Sequence, residues 1–315
     1  TKEEHIMSTT IQNQNFGVEI ELTGVTRATA ADTIAEYFGK SSRHIGTSYD
    51  TYGARDRKGR TWKAMRDGSV RCEKKRGGEI VPADQQYSCE IVTPILQYDD
   101  IEDLQNIVRA LVKKGTMANT SCGIHVHVDG ANHTPESLSR LLNFAIGRQD
   151  LFYEALQIGD RADRWCHKIS PELFKAMKRN GRQSRNAAEY VWYSPRNDGY
   201  EGGISHSHYN ATRYHGINLH AFFTKGTVEF RLFNGTTHAG KIKAYIQFCL
   251  AMSAWAINCD HDDLHFKKVT NYTQEQKAAL MKRVLVNRLG MHGPEFKTAR
   301  LHLTSAFTTE ADQAA

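Results

Sequence analysis

At 315 residues and 40% hydrophobic content, the chain can bury a substantial core as one large domain or two small ones, without staples. Its six cysteines form no C-x-x-C pair, which excludes zinc-knuckle and thioredoxin-like motifs and reads as reduced thiols. A net charge of +6 is modest, no apolar run approaches the roughly 20 residues of a membrane span, and nothing resembles a signal peptide; a cytoplasmic protein without membrane function is expected.

The polar start, residues 1–15, is expected to be a disordered or appended terminus. "FGVEIELTG" alternates from Phe16 to Leu22 and predicts a strand. Ala28 to Phe38 has helical spacing, with Ala31, Ile34, Ala35 and Phe38 on one face. "TWKAMRDGSV" predicts a strand and an Asp67-Gly68 turn, and "SCEIVTPIL" a strand closed by Pro94. "DDIEDLQNIVRALVKKG" has acids first, lysines last and Gly115 after them, as a helix should.

"CGIHVHVDG" predicts a further strand. "TPESLSRLLNFAIGRQDLFYEALQ" opens like a capping box and predicts one long core helix. The stretch 182–207 is expected to be a long loop, functional or mobile. "GINLHAFFTKGTVEFRLFNGT" predicts two strands in a hairpin about Lys225-Gly226. Gly240 to Asn258 reads as a helix, and 261–315 as a helical extension with a polar tail. Hairpins and helices without regular βαβ alternation imply an α+β fold, a largely antiparallel sheet with helices packed on one face.

The basic runs "RCEKKRGGE" and "FKAMKRNGRQSR" are expected in loops or helix ends. Solvated surface is the plain interpretation; polyanion binding, or for the second run a flap that meets a phosphate, is the sharper one.

The chemistry lies in residues i and i+2 of strands, which share a face about 7 Å apart. Glu19 and Glu21 share one while Val18, Ile20 and Leu22 face the core. His125 and His127 do so against Ile124, Val126 and Val128, and Glu229 and Arg231 against Val228, Phe230 and Leu232. Glu90 adds a carboxylate between Cys89 and Ile91. Taken singly, these are ordinary sheet polars or a weak ion pair, and Cys89 and Cys122 are packing residues. One sheet gathering them would hold an acidic trough that needs cations. Hard oxygens with an imidazole suit Mg²⁺ or Mn²⁺ rather than Zn²⁺, and an arginine among acids implies a phosphate.

"FGVEIEL", "RDGSV" with "CEIVTPIL", "CGIHVHVD" and "RYHGINLHAFFTKGTVEFRLFNGT", in that order from about residue 16 to 258, resemble the amidoligase branch of the glutamine synthetase and glutamate-cysteine ligase superfamily. The resemblance implies a glutamine synthetase-like catalytic domain over 16–260 and ATP-dependent amide or isopeptide formation through an acyl phosphate. It implies Glu19, Glu21, Glu90, His125 and Glu229 as metal ligands and His127 as the residue that meets the nucleotide, although which histidine ligates metal stays open. Arg231 would contact the transferred phosphoryl group, and Arg213 and Asn218 substrate or phosphate. Asp67 and Ser69 are either a plain turn or substrate contacts. Arg182, Arg185 and Tyr190 are candidates for closure over the site. ATP and Mg²⁺ or Mn²⁺ are the expected cofactors, and carboxylate and amine the substrates, with peptide or protein favoured as acceptor. A metal-dependent hydrolase and a nonenzymatic nucleic-acid or peptide-binding module are the alternatives. The arginine argues against the first, and the acidic trough, which repels polyanions, against the second.

Overall fold

A computed structural model describes residues 8–195, 202–262 and 269–308. They form two compact units, one of residues 15–127 and 231–246, the other of the remaining described residues. Each unit gathers segments distant in sequence. Residues 1–7, 263–268 and 309–315 of the expected terminal segments lie outside the described residues.

The first unit opens with β1 (Phe16–Leu22), where Val18, Ile20 and Leu22 are buried in the core as predicted. Helix α1 (Arg27–Phe38) starts at Thr26, whose side chain accepts the Thr29 N–H, and ends at Gly39 in the left-handed region. Strands β2 (Ser42–Gly46), β3 (Thr51–Arg55) and β4 (Thr61–Met65) follow. The basic run "RCEKKRGGE" is not a loop or helix end; it forms a separate hairpin of β5 (Glu73–Arg76) and β6 (Glu79–Pro82). Its turn is Gly77-Gly78, both at positive φ, as a two-residue hairpin connection requires. Next come β7 (Cys89–Val92), α2 (Ile101–Lys113) and β8 (Gly123–Asp129).

The main sheet runs β2-β3-β4-β7-β1-β8, with β2 through β1 paired antiparallel. Helix α1 packs on β2, β3, β4 and β7, and α2 packs on α1. The helices of this unit therefore cover one face of an antiparallel sheet, and the fold is α+β. The face opposite carries Glu19, Glu21 and the two histidines.

In the second unit the expected single helix is two, α3 (Pro135–Ile146) and α4 (Gln149–Ala155). The predicted capping box at Thr134 and Ser137 is present, but the chain breaks at Gly147, a residue with little helical preference. Helix α5 (Pro171–Ala176) comes next. The stretch 182–207 is not one long loop, since α6 (Arg185–Trp192) occupies part of it; 196–201 lie outside the described residues. Ser184 caps α6, and Ala188, Val191 and Trp192 make its buried stripe.

The expected hairpin about Lys225-Gly226 is also corrected. Strands β9 (Ile217–Asn218) and β10 (Thr227–Asn234) pair antiparallel, with Asn218 opposite Glu229. They are joined by α7 (His220–Lys225), which Gly226 ends at φ +77°. The later half of β10 continues the first unit's sheet beside β8. There Gly235 passes so close to Cys122 that a Cβ would lie 2.5 Å from the cysteine Cβ, so only glycine fits. Helices α8 (Ala239–Asn258), α9 (Gln274–Arg283) and α10 (Lys297–Thr304) complete the chain. Residues 8–14 are tied to the second unit: Gln14 Nε2 donates to Leu250 O, and Thr9 and Asn258 exchange two hydrogen bonds.

No helix among the described residues is long and apolar enough to cross a membrane. All six cysteines are free thiols. Burial pushes the Cys89 thiol up to about 12, which suits packing and not nucleophilic attack.

Candidate active site

The site begins with register. In the β1–β7 pairing Glu21 stands directly opposite Glu90, a juxtaposition of like charges that destabilises a sheet unless something offsets it. Both side chains are buried. The Gly123 N–H offsets part of the cost by donating to Glu21 Oε2 at 2.6 Å. Asp67, from the turn after β4, joins them: Glu21, Asp67 and Glu90 each bring a carboxylate oxygen within 4.8 Å of the others. At an effective dielectric of about 20, each such pair of charges repels by about 3.5 kcal/mol. A cation is the natural means of neutralising this cluster.

Glu19 has a different surround. His125 Nδ1 lies 3.0 Å from its Oε2 and His127 Nε2 lies 3.2 Å from its Oε1. Burial alone would raise the Glu19 carboxyl, but charge on His127 and hydrogen bonds from both imidazoles outweigh it and hold the group well below the usual carboxylate range. Glu19, Glu90 and His125 form a second set of donor atoms within 4.8 Å of one another. His125 Nε2 is also 3.8 Å from Glu21 Oε1. Two carboxylates with an imidazole, beside a three-carboxylate cluster that shares Glu90, are a hard donor set that fits Mg²⁺ or Mn²⁺.

Arg231 adds the positive charge. Its side chain is buried, with Nη1 3.4 Å from His125 Nδ1. A desolvated planar guanidinium is suited to bidentate capture of a phosphate or carboxylate.

Glu229 and Asn218 belong to the second unit. Glu229 is only 3% exposed, so this polar face of β10 is buried. Asn218 Nδ2 donates to Glu229 Oε2 at 2.6 Å, and its Oδ1 accepts the His220 N–H. The amide is thereby committed to holding the carboxylate. Beside them lies a cavity of about 170 Å³ whose lining includes Arg213, His206, His208, His220 and Lys225. His220 Nδ1 is bonded to the Tyr193 hydroxyl at 2.5 Å. Burial, with the Arg213 and His206 charges, lowers His220 to about 4, so it is neutral at pH 7. These histidines were missed in sequence, although "SHSHYN" repeats the H-x-H spacing in a loop.

Other expected residues are placed elsewhere. Ser69 donates its N–H and hydroxyl to Asp67 Oδ1 at 2.6 and 2.5 Å, a turn held by its own side chains. Arg182 donates to Ser139 and, with Lys178, pairs with Asp262, so this basic run is anchored rather than an open flap. Arg185 stacks over the Phe222 ring, 4.4 Å from its centroid, and donates to Phe222 O. Tyr190 is 70% exposed.

An α+β chain with a buried acid, imidazole and guanidinium cluster is the class that fold and site define. Residues 12–253 match the family profile described as "Putative amidoligase enzyme", and the chain belongs to that family. Among solved structures, a bifunctional glutathione synthetase from Pasteurella multocida is similar over 94% of this chain and 47% of its own, at 14% identity and a TM-score of 0.41. The chain thus spans about half the length of that protein. No curated protein matches it.

Proposed function

We propose that the chain is an ATP-dependent carboxylate–amine ligase, with a peptide or protein as the favoured acceptor. The observation that carries the proposal is the buried Arg231 guanidinium beside His125, among carboxylates that call for a divalent cation. Acids for a metal and a guanidinium for a moving phosphoryl group are what phosphoryl transfer asks of a protein. Hydrolysis at a metal centre makes no such demand for arginine.

Glu19, Glu21, Glu90 and His125 would hold Mg²⁺ or Mn²⁺, and Glu229 keeps the same role by resemblance. The ion would neutralise triphosphate charge. Arg231 holds the transferred phosphoryl group, His127 meets the nucleotide, and Arg213 takes an anionic group of substrate or phosphate. Asn218 acts through Glu229, as a positioning residue. A substrate carboxylate oxygen attacks the γ-phosphorus of ATP, and the bridging P–O bond breaks with its electron pair leaving on ADP. The amine nitrogen then adds to the acyl carbon, the bond to phosphate breaks, and the nitrogen's surplus proton passes to solvent.

Calorimetric titration with a nonhydrolysable ATP analogue, with and without Mg²⁺, tests this. Wild type should bind only with Mg²⁺, and Arg231→Lys at least tenfold more weakly, because a point charge replaces a planar fork. A folded, Mg²⁺-replete wild type that binds no analogue would overturn the proposal.

A further inference from the structure

A second cavity lies in the second unit, outside the residues used above. Its volume is about 440 Å³, within the range of small-molecule sites. It opens between α4 and α9, and α9 lies wholly beyond the family-matched residues 12–253.

The cause of the gap is visible in the chain. Helices α4 and α9 are pinned at one end, where the buried Lys277 donates to both carboxylate oxygens of Glu154 at 2.6 and 2.8 Å. At the other end α3 has stopped at Gly147, and α9 passes into a π-helical turn, Val284–Arg288. Such turns recur at functional sites. Leu280, Arg283, Val284, Asn287 and Arg288 all line the cavity; their spacing of i, i+3, i+4, i+7 and i+8 is one helical face.

The lining is sorted by chemistry. Leu151, Val269, Leu280 and Val284 are buried and apolar. Arg283 and Arg288 stand exposed at the rim. Arg148 is buried, its guanidinium 4.2 Å from the Phe144 ring centroid and donating to Phe144 O. Among the described residues, three guanidinium groups and no Asp or Glu line the space, which selects for negative charge.

We infer that this cavity binds a small amphipathic anion, an apolar body placed between α4 and α9 with a carboxylate or phosphate head met by Arg148, Arg283 and Arg288. The inference is independent of the ligase proposal.

The full chain is titrated with the fluorescent anion 8-anilinonaphthalene-1-sulfonate, then challenged with decanoate, decyl phosphate, decanol or inorganic phosphate. Saturable one-site binding is expected, displaced by decanoate or decyl phosphate, whichever head the site prefers. Decanol should be at least tenfold weaker, and inorganic phosphate without effect. The double variant Arg283→Glu/Arg288→Glu, both rim positions, should weaken the better decyl anion at least tenfold with an unchanged circular dichroism spectrum. Asn287→Trp, which adds bulk at the mouth, should weaken dye and anion together. No saturable binding, equal displacement by decanol, displacement by inorganic phosphate, or wild-type affinity in the double variant would each overturn the inference.

Discussion

Two buried histidines, His125 and His133, have opposite surrounds, and the contrast separates chemistry from architecture. His125 faces carboxylates, Glu19 at 3.0 Å and Glu21 at 3.8 Å, with Arg231 beside it. His133 faces hydroxyls, Ser137 and Ser253, each at 3.0 Å. Burial foremost, with the Arg140 charge, lowers His133 to about 4. A neutral imidazole between hydroxyls is a satisfied core group. An imidazole set among carboxylates with a guanidinium beside it gathers polar groups of both signs in a buried place, which is expensive unless a ligand makes use of them.

Crossed substitutions should break the contrast if it is mistaken. His125→Ala should lower Mn²⁺ affinity by about 100-fold, as loss of a ligand or its close support does, while His133→Ala leaves that affinity unchanged. Conversely, His133→Ala should lower stability by about 3 kcal/mol, from two lost hydrogen bonds and a cavity. Calorimetry with Mn²⁺ and denaturant unfolding read the two effects. Equal metal affinity in both variants would remove the His125 cluster as a metal site.

pH sharpens the comparison next. His133 titrates near 6.5 when unfolded and near 4 when folded, so the unfolded chain takes up its proton first. Its contribution to stability is complete above about pH 6.5 and is lost as pH falls toward 4. At pH 5 the loss should be about 2 kcal/mol. Subtracting the stability–pH curve of His133→Ala from that of wild type isolates this slope; coincident slopes would show that burial does not hold the ring neutral.

How much of this was legible in sequence follows the range of the interaction. Helix α1 was readable because the apolar spacing of Ala31, Ile34, Ala35 and Phe38 is local, and the start of α3 because Thr134 caps it within a few residues. Glu19, Glu21, His125 and Arg231 were readable because a strand's alternation is local. The β5–β6 hairpin carried its signal in Gly77-Gly78, hidden by surrounding lysines and arginine. Strand β2 has mostly exposed residues, so it shows no apolar alternation. In α7, "HAFFTK" has the aromatics of a strand, and helix forms because the chain must join β9 to β10 and stop at Gly226. That Asp67 reaches Glu21 and Glu90 depends on the pairing of β4 with β7, which no short stretch encodes.

The smallest effect concerns how His133 is held. Gln14 Nε2 donates to Thr10 O and Leu250 O, so Gln14 Oε1 is an acceptor and takes the Ser253 hydroxyl at 2.6 Å. Ser253 must then accept from His133 Nε2–H, which leaves Nδ1 as an acceptor facing the Ser137 hydroxyl, whose proton is shared with Thr134 O, each at 3.0 Å. Ser137 also accepts the Thr134 N–H at 2.8 Å in the capping box, so Ser137→Ala removes a cap contact and a histidine contact together, about 1.5 kcal/mol. Thr134→Ala removes the cap alone, about 1 kcal/mol. The difference, read by denaturant unfolding, is the share of the Ser137 hydroxyl's bonds to the imidazole and to Thr134 O. Equal losses in the two variants would mean that the hydroxyl does not hold the ring, and His133 would then be kept neutral by burial alone.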